Sequence, residues 1–84
     1  MLARPRTSTF IDTLTIEVDD IVQAPVLVEL RSEDGEICCK MEKRVHPQTR
    51  SICWEGLNDL PYGVYTLACS QGDETIEVRM VKRV

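Results

Sequence analysis

The sequence predicts an all-β fold, a small antiparallel sandwich of six or seven strands, and three observations predict it. Apolar residues recur with a period of two along nearly the whole chain, the spacing of strands with one buried face rather than of a helix. All four glycines, Gly35, Gly56, Gly63 and Gly72, fall between the alternating runs, where turns belong. At 84 residues the chain makes one domain, and it buries only roughly 60 to 65% of the surface its unfolded form exposes, so its core is thin.

Residues 1–9 read as an N-terminal tail or linker, since Arg4, Pro5, Arg6, Thr7, Ser8 and Thr9 show no alternation; residues 10–84 read as the sandwich domain. Met1 is consistent with a true start or with a cut inside a longer precursor. A short extra strand fits at 8–10. Full strands are expected at 12–18, 25–31, 36–43, 50–55, 64–70 and 74–82.

Two hairpins test the pattern. A two-residue turn on Asp34 and Gly35 sets Leu30 opposite Cys39 and Val28 opposite Met41. A turn on Gly72 and Asp73 sets Cys69 opposite Ile76, Leu67 opposite Val78 and Tyr65 opposite Met80. These ten residues are the expected core, because slipping either register by one would turn the whole set to solvent. The connectors 19–24 and 56–62 are long enough to cross between sheets, whereas an up-and-down barrel would use hairpins throughout. The expected architecture is therefore an immunoglobulin-like sandwich.

Composition and motif chemistry exclude several function classes. A formal net charge of −4 disfavours binding to nucleic acid, which requires concentrated Lys and Arg. No apolar run approaches the roughly 18 to 20 residues that span a bilayer, and residues 1–9 lack the apolar segment of a secretory signal. A large catalytic cleft would consume much of so thin a core.

Cys38, Cys39, Cys53 and Cys69 do not have zinc-site spacing: on a regular strand, Cys38 and Cys39 point to opposite faces, Cys39 inward with Cys69 and Cys38 outward. Buried free thiols, one structural disulfide and a metal site remain open in that order, and four cysteines allow three pairings. His46, the only histidine, sits in the loop 46–49 with no nucleophile or orienting partner implied, which makes it a solvated loop residue. Trp54 is read as core filling. Asp19, Asp20, Glu33, Asp34, Glu36, Asp73 and Glu74 cluster in loops without the calcium-loop pattern and are read as solvated turn residues. The residues by themselves describe a small secreted-type or extracytoplasmic sandwich without enzymatic activity, cofactor or metal.

From about Phe10 onward the chain resembles the C-terminal sorting domain of proteins exported by the bacterial type IX secretion system. The resemblance rests on the run Leu14 to Val18, on Val26, Val28 and Leu30 with the Asp34–Gly35 turn, on Leu60, Pro61, Gly63 and Tyr65, and on the basic closing run Val78, Arg79, Met80, Val81, Lys82. Each motif is weak alone; their order covers nearly the whole chain.

The resemblance implies an immunoglobulin-like domain that addresses an attached cargo protein to an outer-membrane translocon and sortase. Transit would run through the periplasm to the cell surface, with no small-molecule substrate. It also implies that Gly63 and Tyr65 shape the recognised end while Arg79, Lys82 and Arg83 carry the basic signal. The chain departs from the family pattern in lacking a Pro-Asn-Pro opening, in placing Arg79 where Lys is usual, and in its four cysteines. The alternative expectation is a free-standing secreted binding or adhesion module of immunoglobulin or fibronectin type, in which Leu60, Pro61 and Tyr65 form a short tyrosine corner.

Overall fold

The computed structural model describes residues 3–18, 25–45, 48 and 50–83. The expectations for His46, Asp19 and Asp20, and for the crossing segment 19–24, lie outside the described residues. Among those described there is no helix, and eight strands form two sheets. In chain order they are β1 (Ala3–Pro5), β2 (Thr9–Phe10), β3 (Leu14–Val18), β4 (Val26–Ser32), β5 (Ile37–Lys43), β6 (Ser51–Trp54), β7 (Gly63–Gln71) and β8 (Glu74–Lys82).

One sheet has the order β1-β3-β6 and the other β2-β8-β7-β4-β5. All pairings are antiparallel except β2 with β8, which run parallel. The expected immunoglobulin-like sandwich is therefore present: the first strand region splits between the two sheets, and β7 is flanked by its hairpin partner β8 and by β4.

The six expected long strands are all found, and two short ones add to them. Residues 3–5, within the segment read as a tail, pair with β3, and Ala3 opposite Val18 is buried. Pro5 is tolerated because β1 is an edge, where a missing N–H leaves no ladder bond unmade. Thr9 and Phe10 lie beside Val81 and Lys82, so a wholly antiparallel fold is corrected by one parallel pair. The pair forms because the chain, having left one sheet at Pro5, enters the other in the same direction as β8, and burial of Phe10 holds it there.

The core is the inner faces of the two sheets. Val26, Val28 and Leu30 on β4, Leu67 and Cys69 on β7, and Met80 on β8 face Leu14, Ile16, Val18, Ile52 and Trp54 of the smaller sheet. Of the ten expected core residues, Val28, Leu30, Tyr65, Leu67, Cys69 and Met80 are buried, while Cys39, Met41, Ile76 and Val78 are half-buried against them. Three strands cannot cover five. The margins of the larger sheet therefore keep one flank in solvent, and the four half-buried residues lie on β5 and β8.

Both hairpin registers hold through the strands, but they are reached differently. Between β7 and β8 the ladder is unbroken from Gly63 opposite Lys82 to Gln71 opposite Glu74, closed by the two residues Gly72 and Asp73. Between β4 and β5, Leu30 faces Cys39 and Val28 faces Met41 as expected, yet Arg31 faces Ile37, so the register shifts between them.

The turn there is not the two-residue one expected. The Ser32 amide donates to the Glu36 carbonyl and the Gly35 amide to the Ser32 carbonyl, which makes a three-residue loop of Glu33, Asp34 and Gly35. Gly35 takes φ 89°, the left-handed position that such a loop requires. The odd residue count is absorbed by a β-bulge at Cys38.

Candidate functional site

The sandwich end at which β7 begins and β8 finishes gathers most of the expected recognition residues. Four consecutive pairs of the ladder contain them: Gly63 with Lys82, Val64 with Val81, Tyr65 with Met80 and Thr66 with Arg79. β2 completes the end from the other side, where the Arg83 amide donates to the Phe10 carbonyl at 2.8 Å and the Val81 amide to the Ser8 carbonyl at 3.0 Å.

The local sequence explains how the chain enters this end. Leu57 is buried and its amide donates to the Asp12 carbonyl, so the connector after β6 is pinned under the core. Beyond it, the Tyr65 hydroxyl donates to the Pro61 carbonyl at 2.6 Å. This is a tyrosine corner: a ring buried at the start of a strand whose hydroxyl ties down the connector it has just left. Phe10 packs on the same ring, with centroids 6.2 Å apart and planes at 60°. Gly63, the first residue of β7, has φ 147°, a backbone state that a residue with a Cβ resists, although a Cβ there would meet no neighbour within 4 Å.

The five expected recognition residues fall into two groups. Gly63, Arg79 and Arg83 are exposed. Tyr65 and Lys82 are buried, the latter with its Nζ donating to the Arg83 carbonyl at 2.8 Å. The cause is strand parity: Met80 and Lys82 point inward, so Arg79, Val81 and Arg83 share the outer face. Lys82 lays its aliphatic stem on the end of the core and turns its ammonium back to the backbone.

Three residues at this end were not anticipated. Tyr62, Ile11 and Val81 are 74%, 51% and 37% exposed, and they are three of the four large apolar side chains left in solvent among the described residues. Ile11 follows β2, Tyr62 precedes β7 and Val81 lies on β8 between the two arginines, so they border one surface. The sequence signal was there: Tyr62 and Ile11 sit just outside the alternating runs, where no core face claims them.

Two shallow depressions flank the ladder. One is lined by Thr9, Phe10, Ile11, Asp12, Thr13 and Arg83, the other by Glu33, Val64, Tyr65, Thr66 and Arg79.

The rest of the outer face of the larger sheet carries charged residues together with Ile37, which is 52% exposed opposite Arg31. Arg31 bridges Glu29 at 3.4 Å and Glu77 at 3.6 Å, and this network covers Ala68. The four cysteines are all free: Cys69 is buried, Cys39 half-buried, and Cys38 and Cys53 exposed. The expectation of buried thiols thus holds for Cys69 and in part for Cys39. Burial pushes the Cys69 thiol up to about 11, which leaves it unreactive near neutrality.

Trp54 fills the core as expected. Among the described residues no group of three or more His, Cys, Asp or Glu side chains is placed to hold a metal ion. No protein-family model matches the chain, and no curated protein matches its sequence.

Proposed function

We propose that this domain is a non-catalytic recognition module read at the end formed by Tyr62, Gly63, Val81 and Arg83, and that it addresses an attached cargo to the type IX export machinery. One observation carries the proposal: Ile11, Tyr62 and Val81 are left exposed beside Arg79 and Arg83, and among the described residues only Ile37 is another large apolar side chain so exposed. Apolar area rimmed by guanidinium groups is the composition of a protein-docking surface. The resemblance of the strand and turn order to sorting domains supplies the specific partner, an outer-membrane translocon.

The test spares the fold. Arg79→Gln with Arg83→Gln leaves Lys82, whose burial makes it a structural residue, untouched. After circular dichroism shows an unchanged fold, surface display of a fused reporter is measured in a bacterium that has the system. Display reduced about tenfold or more, the effect of roughly 1.4 kcal/mol, supports the basic face as the signal. Full display of that variant rejects it, and no display with the wild-type domain rejects the sorting role.

A second reading, a free-standing binding or adhesion module, is favoured by the bond from Tyr65 to Pro61. That bond gives the Gly63–Tyr65 motif a structural task that any sandwich of this type can use, and so weakens it as a sorting mark. Under this reading the same surface binds an extracellular protein, and Tyr62→Ser abolishes that binding while export of the wild-type fusion fails.

A further inference from the structure

The bulge in β5 changes what two adjacent cysteines can do. On a regular strand, neighbouring side chains point to opposite faces, and Cys38 and Cys39 would never act on the same ligand. Here Leu30 pairs with Cys39 and Arg31 with Ile37, so Cys38 is the extra residue and two cysteines stand against the single Leu30. A bulge of this kind cancels the alternation at one step and brings consecutive side chains to the same side.

Cys38 is exposed, with its Sγ directed at the Glu36 carbonyl at 3.8 Å, and Cys39 is half-buried beside it. β5 is the outermost strand of its sheet, so no neighbouring strand shields the pair. Tyr65 lies across β4 from the start of β5, since it pairs with Ser32, whose amide donates to the Glu36 carbonyl. The Tyr65 hydroxyl is pushed up first by burial and then by the charges of Cys38 and Cys39, and the Cys39 thiol is pushed up by burial and then by Cys38. Three groups therefore share one neighbourhood at the rim of the core.

We propose that Cys38 and Cys39 form a bulge-held dithiol site for a soft trivalent centre that needs two thiolates and brings its own third substituent, the chemistry of an organoarsenous group. A four-coordinate zinc ion does not suit it, because no cluster of three or more ligating side chains is found among the described residues. The reaction needs no oxidant. Two S–H bonds and two As–OH bonds break, two As–S bonds form, each thiol proton leaves with a hydroxide as water, and arsenic stays trivalent. Cys53, alone on β6, and Cys69, inside the core, offer no second thiol and take no part. The site does not depend on the proposed role in sorting.

Phenylarsonous acid is the probe, read by intact-protein mass spectrometry on the full chain. The expected result is one adduct per chain that survives excess monothiol and is stripped by 2,3-dimercaptopropanol. Cys38→Ser and Cys39→Ser should each lower retention by about 10²-fold or more, the effective-concentration advantage of a second thiol on the same scaffold; Cys53→Ser and Cys69→Ala should not. Because Cys38 is exposed, its replacement leaves folding intact. A thermal scan then separates a site built by the fold from mere adjacency in the chain: a ligand that prefers the native bulge raises Tm. Undiminished retention in Cys38→Ser, or a Tm that does not rise on saturation, would overturn the proposal.

Discussion

The two hairpins of the larger sheet begin from the same kind of sequence and end differently. In β7–β8, nine residues pair with nine across a two-residue turn, and every inward residue of one strand meets an inward residue of the other. In β4–β5, a three-residue loop adds one position and a bulge at Cys38 removes its effect, so the inner face is restored from Cys39 onward. The first hairpin contains β7, the central strand of the larger sheet, and its ladder carries no irregularity. The second ends at an edge, where no further strand has to match the extra residue. Register is thus enforced by what covers the strand, and exceptions collect where coverage stops.

Single-residue deletions give the largest expected contrast. Removing Glu77 shifts the rest of β8 by one, which turns Met80 outward and Arg79 into the core; loss of the cooperative unfolding transition is expected by chemical denaturation. Removing Cys38 deletes only the extra residue and keeps Leu30 opposite Cys39 and Arg31 opposite Ile37. Its stability should stay within about 1 kcal/mol of wild type. Comparable damage from the two deletions would break the comparison.

Truncation of inner-face side chains sharpens it. Leu67→Ala in the covered centre should cost about 2 to 5 kcal/mol, read as a lower denaturation midpoint at unchanged slope. Met41→Ala on the half-covered margin should cost about 1 kcal/mol, since much of its surface never leaves water.

The buried Cys69 adds a pH dependence. Burial holds its folded pKa at about 11, above that of a thiol in the unfolded chain, so the folded state keeps the proton where the unfolded chain releases it. The stabilisation is complete below about pH 9 and is lost as pH rises towards 11, an effect on the order of 2 kcal/mol. The slope of stability against pH over that window should be shallower in Cys69→Ala. Equal slopes would place the titration elsewhere. The smallest effect is expected at the corner: Tyr65→Phe keeps the ring and loses the bond to Pro61, for about 1 kcal/mol.

Alternation made the six long strands and both long-range registers legible, because a strand with one buried face writes its pairing into every second residue. Three features had no such signature. β1 is Ala-Arg-Pro, in which one small side chain opposite Val18 does all the burying and two residues look like linker. The bulge is invisible because Ile37, Cys38 and Cys39 give no sign of which residue is surplus. Leu57 is core although it lies in a connector, where periodicity does not apply.

The candidate site was legible in part. The β7–β8 ladder does bring Gly63, Tyr65, Arg79 and Lys82 to one region, but Lys82 shares the parity of Met80, and that alone placed it inside. Charge suggested a surface residue, and parity overrode it.

The parallel pairing of β2 with β8 joins residues from nearly opposite ends of the chain. The two hairpins close over short loops, whereas this contact must wait until almost the whole polypeptide has been gathered, so loop closure delays it most. It should be absent from the folding transition state and present in the native one. Weakening it, as by Phe10→Ala, would then leave the rate of folding nearly unchanged and speed unfolding. The first residues of the chain set how long the domain stays folded rather than how fast it gets there.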